Sequence, residues 1–392
     1  MYIGWDTSFF SRETNVRNSE KFFASLAILS ISAFFVIAGD GAIFASQGTE
    51  MQVIPMPEVI EPFTLVVYGG RIVIPESTHI SIFSLKDFRL IKKFGSRGEG
   101  PGEFRYPPHI TAFPDFLLAN ASGKLIYYSH EGDFIRETKL PFFYNSEAWP
   151  MLPVGSNYIG LPMEMEKINP GTLRLRHVGR LYDSGFKPLK LLSEGIPPLV
   201  PPPPPPPRAG TPARMTPKQD FEAIPDYVDY AVVGDRIFLA DNRKGLYIAV
   251  YDRLGNLLRE IKHDEKAIRV SDDYKEAAMK RLRAQPNWES MNRQFNFRFR
   301  EDFPAFFSFK VANNKIYMTT YAKEGEKYEI VVMDLEGRIL GRSFSFPLPP
   351  YQDVTYRFTL FSNAYEIYED RIYYLAYNYD TDIYELHIVP IK

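Results

Sequence analysis

IAVYDRLGNLL, the stretch from Ile248 to Leu258, decides how this sequence is read. An apolar run meets a short turn and gives way to a second apolar run. The turn opens on Asp252 and closes on Gly255. Asp opens such turns because its side chain bonds the backbone ahead, and Gly closes them because it tolerates positive φ. This is the pattern of a β-hairpin. It recurs as IVVMDLEGRIL at Ile330 to Leu340, LIYYSHEGDFI at Leu125 to Ile135 and ISIFSLKDFRL at Ile80 to Leu90. A degraded copy runs through Leu181, Tyr182, Asp183 and Gly185.

A second element precedes these hairpins. It reads GGRIVI at Gly69 to Ile74, GDRIFL at Gly234 to Leu239, NNKIYM at Asn313 to Met318 and EDRIYY at Glu369 to Tyr374. Each copy is a two-residue turn, a basic residue and an apolar strand, followed at a short interval by the hairpin's first strand. One unit therefore holds four consecutive antiparallel strands, and self-similarity at this period is the signature of a propeller. The spacing predicts an all-β, six-bladed β-propeller over residues 47–392, with blades near 62–103, 104–142, 149–193, 224–263, 303–346 and 358–392. The last unit lacks an outer strand. Gln52 to Met56, or the stretch just after it, is the candidate to supply it and close the ring, which would remove an exposed sheet edge.

Composition agrees with a soluble, sheet-rich chain. Aromatic residues make up 15% of 392 positions, and aromatics favour a pleated, half-buried surface. The net charge of −2 lacks the basic excess expected of a nucleic-acid partner. There are no cysteines, which excludes disulfides, thiolate nucleophiles and thiolate metal sites.

Residues 1–46 read as an N-terminal extension carrying a targeting segment. FFASLAILSISAFFVIA, Phe22 to Ala38, follows Arg17 and Lys21 and precedes the small residues Ala42 to Ser46. A basic start, an apolar middle and a small-residue end describe a cleaved secretory signal. A retained inner-membrane anchor is the alternative. Met1 to Asn15 fit a signal poorly, and translation from Val16 would account for that. The chain is expected to be exported, periplasmic or extracellular, and monomeric, touching a membrane only through this segment if it stays uncleaved.

FGSRGEGPGEFRYP, Phe94 to Pro107, resembles the junction motif of NHL-type propellers, in which a Gly-rich loop leads to Phe, Pro and the next inner strand. Over roughly residues 60–392 the chain resembles bacterial exported six-bladed propellers related to that group. The motif is clear once; Phe303-Pro304 and Phe346-Pro347 keep a remnant. The resemblance implies the fold. Its families include binding modules and some enzymes, so it does not carry an activity.

Two inserts interrupt the repeat. Residues 195–223 contain seven consecutive prolines, Pro201 to Pro207, which read as a solvated polyproline arm or as a ligand for an aromatic-grooved partner. Residues 264–302 read as helical: Ser271 caps a helix with Asp272 and Asp273 in its first turn, running to about Ala284 and stopping before Pro286. A second short helix is expected through Trp288, Met291 and Phe295. The insert is either a packed cap or a lid beside a ligand site.

Motifs for chemistry are sparse. Gly95, Gly98, Gly100 and Gly102 lack the strand-then-helix context of a phosphate loop and read as a tight joint between blades, with Phe104 entering the core. The six histidines are scattered, and no GxSxG is present. No cofactor is expected; calcium at Asp380 and Asp382 is the one candidate. The function expected is a non-enzymatic binding or scaffold module of the bacterial envelope, taking an envelope protein, glycan or peptide. The alternative is a propeller enzyme of lyase or lactone hydrolase type. Either way the site is placed at the channel mouth near Arg97, Glu99 and His109, covered by the 264–302 insert.

Overall fold

Two kinds of turn build this molecule. In a computed structural model describing residues 51–121, 123–142, 150–169, 172–196, 218–284, 288–347 and 365–392, the first strand of a unit turns into the second through residues in the left-handed region. Gly69-Gly70, Asn313-Asn314 and Glu369-Asp370 all have positive φ at both positions. This geometry matches the right-handed twist of the strands it joins. The second kind joins the third strand to the fourth. Gly132, Gly255 and Gly337 take φ of 80°, 76° and 91° there. In the first and third units Phe88 and Phe186 occupy the left-handed position instead, so those copies carry no glycine there.

Six antiparallel sheets result, and the chain is a six-bladed β-propeller. Blade 1 comprises Val66–Tyr68, Arg71–Pro75, Ile80–Ser84 and Leu90–Phe94. Blade 2 runs from His109–Ala112 to Phe134–Lys139, blade 4 from Val228–Val233 to Leu257–His263, and blade 5 from Ser308–Ala312 to Ile339–Pro347. In blade 3, Thr172–Tyr182 pairs with Asn157–Gly160 near one end and with Met163–Asn169 near the other, so a hairpin projects beyond the sheet. Blade 6 takes Tyr365–Tyr368, Arg371–Asn378 and Ile383–Pro390 from the C-terminal end. Its outer strand is Gln52–Met56, paired antiparallel from Gln52 opposite Ile388 to Met56 opposite Tyr384. The expected ring closure is therefore present. The segment after it is fixed by the buried carboxylate of Glu76, which accepts hydrogen bonds from the Ile60 N–H at 2.8 Å and the Ser81 hydroxyl at 2.6 Å.

The apolar core is divided into six large clusters that each bridge two successive blades, and a small one, Ala223 with Ala278, within the inserts. Phe94, Phe104, Ile126 and Tyr128 join blades 1 and 2. Met56, Ile72, Tyr373 and Leu386 join blades 6 and 1. Outer turns are strapped to the preceding blade: Lys92 Nζ lies 2.6 Å from Asp133, and His263 Nε2 lies 2.8 Å from the Gly337 carbonyl.

Strands alternate in direction, so first-to-second and third-to-fourth connections leave one end of the ring. Second-to-third connections and crossovers between blades leave the other. All the additions in the described residues belong to this second end. They are the projecting hairpin of blade 3, residues 218–227 after it, and residues 264–307 between blades 4 and 5. Pro201 to Pro207 and residues 1–50 lie outside the described residues. Helix α1, Asp272–Arg283, starts at Ser271, whose hydroxyl accepts from the Tyr274 N–H. Helix α2, Trp288–Gln294, ends before Phe295, because Phe295–Arg298 is a strand. That strand pairs in parallel with Gln219–Glu222, so the two inserts join each other. Phe303 stacks on Tyr321 at 4.3 Å and Tyr274 meets Phe303 edge-on. The insert thus packs over the blade 5–6 core and not over the blade 1–2 junction where a lid was expected.

Gly337 has no room for a side chain: an added Cβ would lie 2.6 Å from Cγ2 of Ile261 on the preceding blade. Gly341, a few residues on, faces open space. Gly337→Ala is expected to lose about 1–3 kcal/mol in chemical denaturation, and Gly341→Ala to change by no more than about 0.5 kcal/mol. Removing residues up to Met56 is expected to lower the melting temperature of the whole ring in calorimetry, because it uncovers the edge of Ile383–Pro390 and the core beneath Met56.

Candidate functional site

The sequence-selected residues fall across blade 2. Arg97 and Glu99 are exposed on the junction loop, where Glu99 pairs with Arg105. The loop lies over the outer half of the blade. The carbonyl of Gly100 accepts from Lys124 Nζ on the third strand at 2.9 Å, and the Gly102 N–H donates to Glu137 on the outer strand at 3.1 Å. Phe104 is fully buried between blades 1 and 2. The glycine stretch is thus the joint between blades. His109 opens the innermost strand and is buried. The structure spreads these three residues from the outer to the inner strand and does not gather them on one surface. At the other candidate, Asp382 accepts from the Tyr377 hydroxyl, and the Asn378 side chain accepts from the Asp380 N–H at 2.9 Å. Among the described residues, no group of three or more His, Cys, Asp or Glu is gathered closely enough to hold a metal ion.

Polar side chains do meet near the axis, on the inner strands of blades 4, 5 and 6. Asp229 is buried and accepts from the Tyr227 hydroxyl and, at 2.8 Å, from the Tyr230 N–H. Lys310, on blade 5, lies within electrostatic reach of it. Its Nζ also stands 4.0 Å from Glu366 and 5.6 Å from the Tyr365 ring on blade 6. Ser308 and Tyr365 share a hydrogen bond of 2.8 Å. Burial pushes Asp229 up from 3.8 to about 6, against the hydrogen bonds from Tyr227 and Tyr230 and the charge of Lys310. Burial likewise pushes Tyr365 up to about 12. Lys310 pairs with Glu366 across blades 5 and 6, and its charge reaches Asp229 on blade 4.

A concave site lies between blades 3 and 4, at the end that carries the inserts. Its volume is about 360 Å³, within the range of small-ligand clefts. The strand Leu246–Asp252 alternates faces, so Tyr247, Ala249 and Tyr251 line one wall together. Leu192 and Leu239 complete an apolar floor. The rim comes from the connection Asn242–Lys244, a single 3₁₀ turn capped by Asp241. Asp241 holds the Arg243 guanidinium through two hydrogen bonds of 2.8 and 2.7 Å, and Arg243 donates to the Glu194 carbonyl at 3.3 Å. Lys244 Nζ stands 4.7 Å from the Tyr247 ring, and the Tyr247 hydroxyl donates to Glu260. The Tyr251 hydroxyl bonds the Leu192 carbonyl at 3.0 Å. This geometry places aromatic faces beside fixed charges, which suits a ligand having both an apolar ring or side chain and polar groups. Sequence reading passed over it, although Tyr247 and Tyr251, four apart on a strand beside Asn242-Arg243-Lys244-Gly245, carry the signal.

A family model, DUF5128, described as a 6-bladed beta-propeller, matches residues 58–159. Among solved structures the chain is similar to the β-propeller domain of Cps50 (Swd1) from Myceliophteria thermophila. That match has 8% identity, a TM-score of 0.37, and covers 88% of this chain and 100% of that one. It is also similar to the Pan2 WD40 domain of Neurospora crassa, with 8% identity, a TM-score of 0.39, and 88% and 98% covered. A Bacteroides caccae protein of unknown function matches with 10% identity, a TM-score of 0.35, and 70% and 77% covered. No curated protein matches the chain.

Asp229 makes the axial cluster sensitive to pH. A carboxyl whose pKa is higher folded than unfolded binds its proton more tightly in the fold. Its contribution is complete below about 4 and disappears as pH rises through about 6. Asp229→Asn is expected to gain stability relative to the parent across that window, by up to about 3 kcal/mol. Urea denaturation of both proteins at a series of pH values checks this. A difference that stays constant with pH contradicts the assignment.

Proposed function

We propose that this chain is a binding or scaffold propeller of the bacterial cell envelope, exported through its N-terminal apolar segment, and that it recognises a glycan or peptide at the insert-bearing end of the ring. The propeller fold supports a generic binding or scaffold role. The finer reading rests on one observation: the cleft with its tyrosine wall and charged rim lies at the same end as every described addition to the repeat. Recognition tends to reside in loops held by a rigid scaffold, and here one end of the ring is elaborated while the other keeps short turns. The apolar stretch Phe22 to Ala38 supports export, and the junction at Phe94 to Pro107 supports kinship with NHL-like exported propellers.

The cleft is suited to a ligand of about one or two sugar rings or peptide side chains. Tyr247 and Tyr251 would take its apolar face, and Arg243 and Lys244 a carboxylate or hydroxyl groups.

The reading is tested by capture from solubilised envelope fractions with three immobilised proteins: the parent, an Arg243→Ala/Lys244→Ala variant, and a variant at the opposite end, Lys86→Ala/Asp87→Ala. The parent and the opposite-end variant are expected to retain the same glycan or peptide component, and the cleft variant to lose it at least tenfold. Equal retention by all three would count against the cleft. A reporter fused after residue 60 that stays in the cytoplasm would count against export.

A further inference from the structure

The outer strands of the six blades share a property that the core does not require. In blades 1 to 5 the residue three beyond the left-handed turn position is a large apolar side chain facing solvent, Ile91, Ile135, Leu189, Leu258 and Leu340, and by ladder register Met51 takes that place in blade 6. They are 51% to 57% exposed. Among the described residues, all but four of the exposed large apolar side chains lie on these outer strands or in the segments that lead into them. The four exceptions, Ile60, Met163, Met165 and Tyr379, belong to connections at the insert-bearing end.

Scattered exposed apolar residues are ordinary on a soluble surface. Six at one structural position are not scattered. In the first five blades each follows a third-to-fourth connection, and Met51 stands at the equivalent place in blade 6, since Gln52 pairs Ile388 two residues before Pro390 as Arg259 pairs Val250 two residues before Asp252. All six therefore stand at the end of the ring away from the inserts, spaced round its circumference. A protein partner of standard size covers one side of such a ring, whereas a planar surface meets the whole circle at once.

The chain itself indicates which planar surface. It enters this circle at Met51, directly before its first described strand. Met51 lies thirteen positions after Ala38, the end of the seventeen-residue apolar run. An extended chain covers at most about 3.5 Å per residue, so the circle stays within about 45 Å of whatever holds that run. A bilayer that retains the run is within reach of this end of the ring.

We infer that the insert-free end of the propeller is a membrane-contact surface, whose circle of apolar side chains enters the interfacial region of a lipid bilayer. Side chains of this kind bind by burying apolar area at the boundary between headgroups and acyl chains. This surface is separate from the cleft, and either can hold without the other.

The absence of cysteine permits a direct test. The full chain is reconstituted with vesicles of phosphatidylethanolamine and phosphatidylglycerol, carrying one introduced cysteine at a time with a polarity-sensitive dye. Ile135→Cys, Leu258→Cys and Leu340→Cys probe the circle on three blades, and Glu276→Cys on the exposed face of α1 is the reference. The three circle dyes are expected to shift to the blue and to be quenched severalfold more than the reference by lipids with nitroxide-labelled chains. Quenching no greater than at position 276 overturns the inference. So does a blue shift without lipid quenching, which marks contact with protein, including a second copy of this chain. A shift on one blade and not the others marks a patch and overturns it as well.

Discussion

Each of the six large apolar clusters lies between two blades, and the rest of the structure follows from that. A single four-stranded sheet here has two apolar faces and nothing of its own to cover them. Blade 1 is covered on one side through Phe94 and Phe104 with blade 2, and on the other through Ile72 with Tyr373 and Leu386 of blade 6. Stability is consequently a property of the closed ring. The short strand Gln52–Met56 matters out of proportion to its length, since Met56 is both the edge partner of Tyr384 and part of the core shared with blade 1.

Close approach between blades also sets where the chain can carry side chains. Gly132 and Gly337 face Phe94 and Ile261 of the preceding blade closely enough to exclude a Cβ, so the residue that permits the turn also permits the contact. Toward the axis the inner strands crowd together. Polar groups there must satisfy one another, as Asp229 does with Tyr227 and Tyr230, and Lys310 with Glu366 of the next blade. Toward the rim the blades diverge, and between blades 3 and 4 they leave a cleft. The outer strand of blade 3 slips register against its neighbour at His177/Gly179, Gly179/Arg180 and Leu181/Tyr182. Such bulges re-aim a strand. A side chain at Gly179 would meet Ser193 at 2.9 Å and Leu239 at 3.1 Å, so this cleft wall depends on glycine.

The architecture was legible because it is written locally. A hairpin copy needs about eleven residues, and turn residues with positive φ leave a strong mark when they are Gly or Asn. The blade closed by the N-terminal strand was readable for the same reason: a missing strand at one end and a spare one at the other. What could not be read was pairing without period. Gln219–Glu222 and Phe295–Arg298 join across 76 positions in parallel, and neither segment repeats anything else in the chain. The spread of the three site residues was hidden for a different reason. Arg97, Glu99 and His109 were grouped by nearness in sequence, but a crossover carries the chain from the outer to the inner strand and so separates neighbours radially. Alignment of the units on their first turn would have served better. Asp229 and Ser308 each stand five positions before that turn, and Lys310 and Glu366 three, so each pair shares a height near the axis.

Repetition also separates two kinds of surface. Where the units must be alike to pack, identical positions carry identical demands, as with the turn glycines set against the neighbouring blade. Where packing makes no demand, nothing in the fold keeps the units alike. The insert-bearing end uses that freedom: its connections differ from blade to blade, and two of them join into a single addition. The position three beyond the left-handed turn residue, taken by Met51 in blade 6, lacks that variety although it faces solvent, and it is apolar in all six blades. Packing between blades does not account for a side chain that is half exposed. The constraint that keeps it apolar therefore acts from outside the ring, and acts on the whole circumference alike. A flat apolar boundary is the simplest partner that treats six blades equally.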